Sequence, residues 1–159
     1  PTRRSSDLEP GLTISGWAAW NEAQLTENLP DNSTAVGEED DRLPYNARFS
    51  GKLSVEQNFP ITNSLNGFVG AEVSYVGDRL ASFMSAGELF VYGGRFELPA
   101  YARTDLRTGV EYDTWTVNLF VNNLTDRRGI IARGIDAGPP YSVSYIQPRT
   151  VGLSLVKTF

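Results

Sequence analysis

The chain has 159 residues, 14 Lys and Arg against 19 Asp and Glu for a formal net charge of −5, no His, no Cys, 15 Gly and 9 Pro. Without Cys or His there is no disulfide framework, thiol nucleophile, thiolate metal site or imidazole base, and no nucleophile, base and oxyanion site come together as in an enzyme. The acidic balance with scattered Arg speaks against a nucleic-acid surface, and the Pro and Gly content speaks against long helices.

The first eight residues, Pro1 to Leu8, show neither strand alternation nor helical period, and a different pattern starts at Glu9-Pro10-Gly11. They read as an appended, non-native tail resembling translated adapter sequence, which places further natural sequence upstream. Arg3-Arg4 lacks the apolar stretch of an export signal. Residues 9–159 are expected to form one all-β unit. From Leu12 to Trp20 the even positions are Leu12, Ile14, Gly16, Ala18 and Trp20, a period of two. From Asn46 to Phe59 the apolar Phe49, Leu53, Val55 and Phe59 alternate with polar residues, among them Arg48, Lys52 and Glu56. Val69 to Tyr75, Arg103 to Tyr112, Trp115 to Asn122 and Thr150 to Phe159 repeat the pattern, so the sequence predicts six antiparallel strands.

Between them, residues 28–44, 79–100 and 127–144 make long connections, whereas 60–66 and Asp113-Thr114 are short. Short turns on one side and long loops on the other characterise an outer-membrane barrel, whose strands are only half apolar and leave no long hydrophobic run. Two aromatic groups share the apolar parity: Phe59, Tyr112, Trp115 and Phe159 toward the short turns, and Trp20, Phe49, Tyr75 and Tyr145 toward the long loops. Amphipathic rings at both edges of an apolar band suit the two lipid interfaces. Filling a sandwich core is the alternative use of the same rings. On the opposite parity, Arg48, Lys52, Glu56, Glu72, Arg103, Asp105, Arg107 and Glu111 are expected to face a lumen. Six strands fall below the eight of the smallest single-chain barrels, so the wall is expected to be completed by other strands.

Leu98-Pro99-Ala100-Tyr101-Ala102-Arg103-Thr104-Asp105-Leu106-Arg107, then Asn122-Asn123-Leu124-Thr125-Asp126, and the ending Gln147-Pro148-Arg149-Thr150 through Phe159 resemble the carboxy-terminal barrel of TonB-dependent outer-membrane receptors. The resemblance is strongest from Pro99 onward. It implies a barrel of 22 strands with an amino-terminal plug inside, located in the outer membrane of a Gram-negative bacterium. It also implies uptake of a scarce nutrient of the siderophore, cobalamin or oligosaccharide class, powered through TonB. The plug and the TonB-coupling segment are not visible in the sequence. The implied partners are therefore outer-membrane lipid, the missing plug and remaining strands, TonB and the nutrient; no cofactor is implied. Phe159 resembles the terminal residue of a barrel-assembly signal, although Lys157 departs from the apolar or aromatic residue often found two places earlier.

Several other features carry a functional reading beside a plainer one. In the connection 79–100, Phe83, Met84, Phe90, Tyr92, Arg95 and Phe96 mix aromatic and cationic groups suited to an aromatic or anionic ligand, with Arg103 nearby in sequence; loop-on-loop packing would use the same residues. Glu38 to Asp41 offers oxygen ligands to a cation, yet a loop charge run is ordinarily solvated, and no metal site is expected. Asn123-Leu124-Thr125 and Asn32-Ser33-Thr34 match a glycosylation acceptor, but Asn123 fits better as a strand-end residue whose side chain helps turn the chain. The rival architectures are a porin or autotransporter-like pore subunit, and a soluble carbohydrate-binding sandwich using Trp17, Trp20 and Tyr92 as stacking platforms.

Overall fold

The computed structural model describes residues 11–134 and 142–159. The expected tail over residues 1–8 and part of the third long connection lie outside the described residues.

The protein is mostly β. Six strands, β1 (Leu12–Trp20), β2 (Phe49–Thr62), β3 (Leu65–Val76), β6 (Tyr101–Tyr112), β7 (Trp115–Asn122) and β10 (Thr150–Lys157), form one antiparallel sheet in the order β1-β2-β3-β6-β7-β10. All six strands expected from alternation are there, β1 and β7 with the expected ends and the others with shifted ones. β2 begins three residues later than the alternation suggests and runs past Pro60, where the register with β3 slips between Pro60 and Thr62. Proline has no N–H to donate to a ladder, so an irregularity is the ordinary consequence. β3 starts at Leu65 rather than Val69, and Asn63-Ser64 alone make the turn. Asp113 turns the chain between β6 and β7 in the left-handed region, at φ 52°, a conformation Asp tolerates better than most residues.

The long connections contain what alternation did not reveal. Between β3 and β6 lie β4 (Arg79–Leu80), α1 (Ala86–Tyr92) and β5 (Glu97–Leu98), with β4 paired to β5. Between β7 and β10, β8 (Ile130–Gly134) pairs with β9 (Ser142–Tyr145). Helix α1 starts at a capping box: the Ser85 hydroxyl accepts from the Glu88 amide while the Glu88 carboxylate accepts from the Ser85 amide, and Gly93 ends it at φ 74°. The Ser85 hydrogen bonds hold the Glu88 carboxyl below its ordinary pKa.

Antiparallel pairing in this order brings all three long connections to one end of the sheet, where they pack on each other. Val36 donates its amide to the Met84 carbonyl and Tyr45 to that of Leu80. Arg42 pairs with Asp78 at 2.9 Å and lowers the Asp78 carboxyl pKa by hydrogen bonding. Most of the apolar core lies at that end too. Among the described residues the buried hydrophobic side chains are Phe68, Ala81, Met84 and Leu98, of which only Phe68 belongs to the six-stranded sheet. The sheet itself shelters almost none of its apolar side chains.

Candidate functional site

Cross-strand register fixes which residues share a face, because directly opposed residues in an antiparallel ladder point the same way. One face collects Ile14 and Trp20 from β1, Phe49, Leu53 and Val55 from β2, Val69, Val73 and Tyr75 from β3, Leu106 and Tyr112 from β6, Trp115 and Leu119 from β7, and Val151, Leu153 and Leu155 from β10. All of these are exposed, Trp20 at 71 % and Leu153 at 70 %. Gln57 interrupts this face and donates its amide to the Asn58 carbonyl at 2.8 Å. Soluble monomers rarely expose contiguous apolar patches of more than a few hundred Å².

The other face is polar. Successive rows across it read Trp17, Lys52, Ser74, Arg103; then Ser15, Ser54, Glu72, Asp105; then Thr13, Glu56, Gly70, Arg107, Phe120, Gly152. Lys52, Glu56, Glu72, Arg103, Asp105, Arg107 and Glu111, read from parity as one group, do share this face; Arg48 lies just before β2 and reaches Glu22 at 3.6 Å. Six of these seven charges are paired: Lys52 with Glu72 at 2.7 Å, Arg103 with Asp105 at 2.7 Å, and Arg107 with Glu56. A cleft of ≈ 380 Å³ runs over Gly70 between Glu56, Glu72, Asp105 and Arg107. Two rings on this face, Phe68 and Phe120, lie over their opposed glycines Gly109 and Gly152, where an added Cβ would collide with the ring. The missing side chain is what admits the aromatic to an otherwise charged surface.

The sites read from sequence are not all brought together. Phe83 and Phe96 line one cleft of ≈ 240 Å³ with Met84, Glu88 and Arg133. Arg95 is engaged elsewhere: its guanidinium donates to the Ala81 carbonyl at 2.7 and 3.2 Å and to the Arg42 carbonyl at 2.6 Å, while stacking on Phe83 at 4.2 Å. It therefore clamps two long connections together, and burial lowers its pKa from the ordinary arginine value. Tyr92 packs against Phe96 with centroids 5.6 Å apart, whereas Phe90, 91 % exposed, projects from α1. Arg103 belongs to the polar face and not to this loop cluster. Trp17 and Trp20 stand on opposite faces of β1, so with Tyr92 in α1 the three rings do not form a common platform. Tyr145 sits in β9, outside the six-stranded sheet. In the run Glu38 to Asp41, the Asp41 carboxylate is turned back to accept the Glu38 amide at 2.9 Å.

The three sequence segments that carry the family resemblance meet at the long-connection end. Asp105 accepts the Asn123 amide at 2.7 Å. The Asn123 side chain, 1 % exposed, donates to the Arg127 and Gln147 carbonyls at 3.0 and 2.9 Å and accepts the Arg127 amide at 2.9 Å. Asp126 accepts the Arg149 amide at 2.9 Å, which lowers its carboxyl pKa. Asn123 and Asp126 are left-handed at φ 53° and 50°, the two residue types besides Gly that visit this region most readily. The Asp-Leu-Arg, Asn-Asn-Leu-Thr-Asp and Gln-Pro-Arg-Thr segments are thus parts of one hydrogen-bonded junction. Phe159 lies beyond the end of β10 and is fully exposed; the Lys157 ammonium sits 5.0 Å from both the Phe159 and the Trp115 ring centroids. No protein-family model matches the chain, and no curated protein matches it.

Proposed function

We propose that the sheet is a section of the wall of a TonB-dependent outer-membrane receptor, with its apolar face against lipid, its charged face toward the lumen and its long connections outside the cell. The receptor takes up a scarce nutrient of the siderophore, cobalamin or oligosaccharide class. The observation that carries this reading is the inverted burial: most large apolar side chains of one face stand exposed, while three of the four buried hydrophobic residues lie in the connections. A soluble sandwich would cover that face with a second sheet, and the described residues place none there. Strand length agrees: β3 and β6, 12 residues each, extend about 40 Å at ~3.4 Å per residue, or about 30 Å along the normal at a tilt of ~40°. β7 and β10, with 8 residues each, fall just below the ~9–11 expected of a spanning strand.

The rings support the interface assignment. Phe59, Tyr112 and Trp115 lie on the apolar face toward the short turns, and Trp20, Phe49 and Tyr75 toward the long connections, Phe49 and Tyr75 with centroids 5.9 Å apart. Lys157, on the apolar parity, sets its ammonium over two rings at the short-turn edge, where a long cationic side chain reaches headgroup water. The outer edges of β1 and β10 have no partner among the described residues, and in hydrocarbon an open edge leaves backbone groups unsatisfied at several kcal/mol each. Further strands are therefore needed to close the wall.

Because the chain contains no Cys, single cysteines at Leu119 and Asn118 can carry an environment-sensitive fluorophore. In lipid nanodiscs the label at 119 is expected to be quenched by spin-labelled acyl chains and the label at 118 by an aqueous quencher. Aqueous quenching of both would reject the lipid-facing assignment.

A further inference from the structure

We propose that the cleft between Pro99–Tyr101 and the turn 125–130 binds a phosphomonoester dianion. The cleft measures ≈ 420 Å³, and Arg127 and Arg128 line it. Both are exposed. The Arg127 guanidinium makes no hydrogen bond or ion pair with the described residues, and Arg128 is held only by Asp126, at 3.4 Å. Asp126 brings a single negative charge, which already acts on both Arg128 and Arg149, and its other oxygen accepts the Arg149 amide. Arg149 adds its own guanidinium to the turn through the Leu124 carbonyl at 3.4 Å.

A fourth guanidinium lies behind the cleft wall. Arg79 is 8 % exposed, donates to the Ile130 carbonyl at 2.6 Å and stands 5.6 Å from the centroid of the Tyr101 ring. Its Nε has no hydrogen-bond partner, and among the described residues it has no carboxylate in salt-bridge range. Burying a cation without a counter-ion is costly, and an anion placed close by reduces that cost. Ile130 and Tyr101, the groups Arg79 touches, both line the cleft. In a chain of net charge −5, a cleft lined by two Arg against one Asp, with Arg149 bonded to the same turn and Arg79 bonded to the Ile130 carbonyl, is a local reversal of sign.

The turn is also pre-formed. Asn123 ties the Arg127 backbone from both sides, and Gly129 packs so closely on the Tyr101 ring that an added Cβ would stand 2.6 Å from it. A rigid cradle loses less entropy on binding. Phosphate is favoured over carboxylate because a phosphomonoester carries about −1.5 to −2 charges and three acceptor oxygens, matching several guanidinium forks at once. The phosphate has two possible carriers, a lipid headgroup in the outer leaflet or a free solute, and the experiment separates them.

The 159-residue chain, refolded in zwitterionic detergent, is titrated calorimetrically at low salt with glycerol 3-phosphate. In a second arm it is titrated with bicelles of phosphatidylcholine with or without phosphatidic acid. Binding is expected in at least one arm, weakened at least about tenfold in the Arg127→Gln/Arg128→Gln variant, equivalent to losing one charge-assisted hydrogen bond. Arg48→Gln, which removes an arginine at the same end of the sheet, is expected to change it by less than about twofold, as an exposed pair contributes little. Circular dichroism confirms that each variant retains its strands. Binding of phosphatidic acid alone assigns the site to lipid, and binding of glycerol 3-phosphate alone assigns it to solute. No binding in either arm, or equal weakening by both substitutions, overturns the proposal. Binding by a chain that proves to stay in water without detergent would sustain the cleft while rejecting the membrane wall.

Discussion

Leu119→Arg and Asn118→Arg place the same cation on neighbouring residues of β7 that point to opposite faces. Leu119 is 47 % exposed and lies mid-strand, opposed by Thr108 of β6 and Leu153 of β10. If that face contacts hydrocarbon, arginine near the midplane costs about 2–4 kcal/mol, which is roughly 30- to 700-fold in the insertion equilibrium. Asn118 faces the polar side, in a cleft lined by Glu111 and by Glu56 with its partner Arg107; arginine there meets a carboxylate unpaired among the described residues as well as a like charge, both in a wet site, and is expected to cost under about 1 kcal/mol. Partition of the urea-unfolded chain into phosphatidylcholine vesicles, followed by the fluorescence of its 3 Trp, measures both. Equal penalties, or a larger one at Asn118, would refute the assignment of faces.

Asn123→Ala removes three side-chain hydrogen bonds from a buried junction and should lower stability by roughly 2–3 kcal/mol, read as a drop in the urea midpoint at unchanged slope; an unchanged midpoint would mean that the junction is not cooperative with the sheet. The Asp126 carboxyl is lowered chiefly by the Arg149 amide, so its contribution is fully present above the unfolded value of ~3.9 and is lost as pH falls through the lower folded value. The Arg149 amide should lose hydrogen-exchange protection over that acidic window, and Asp126→Asn should abolish the pH dependence. Deleting Phe159 is expected to reduce the heat-modifiable, folded form recovered from outer membranes; undiminished recovery would remove the assembly role. The 159-residue chain alone should form edge-paired oligomers and transport nothing in liposomes, and a closed monomer with selective uptake would contradict the wall-section reading.

Much of the sheet was legible because period-two alternation survives wherever one face is apolar and the other polar. Trp115 to Asn122 is expected and found with the same ends. β2 was harder: Pro60, on the polar parity, breaks the alternation near its end, and only pairing with β3 carries the strand through. Helix α1 announced itself in Ser85-Ala86-Gly87-Glu88, a capping-box spacing that was missed because seven residues show too little helical period. Asn123 was readable as a turn-forming side chain, but its buried partners lie 4 and 24 residues away and no local signal names them. The same holds for Arg95. Composition marks it as a cation among aromatics, whereas its actual partners are two carbonyls set by how the long connections fold together.

The placement of Ala81, Met84 and Leu98 has a thermodynamic consequence. Their shelter is built from neighbouring chain, so water drives that end together in the ordinary way, with the positive heat-capacity change that exposing apolar groups brings. The sheet's apolar face would instead exchange acyl chains for water when it leaves the bilayer, and exchanges nothing while it stays there. Heating such a protein within its membrane should therefore release the end cap first, in a small calorimetric transition of its own, with the strands still paired below it. Swapping one lipid for another of different chain length would shift the second transition and leave the first where it was.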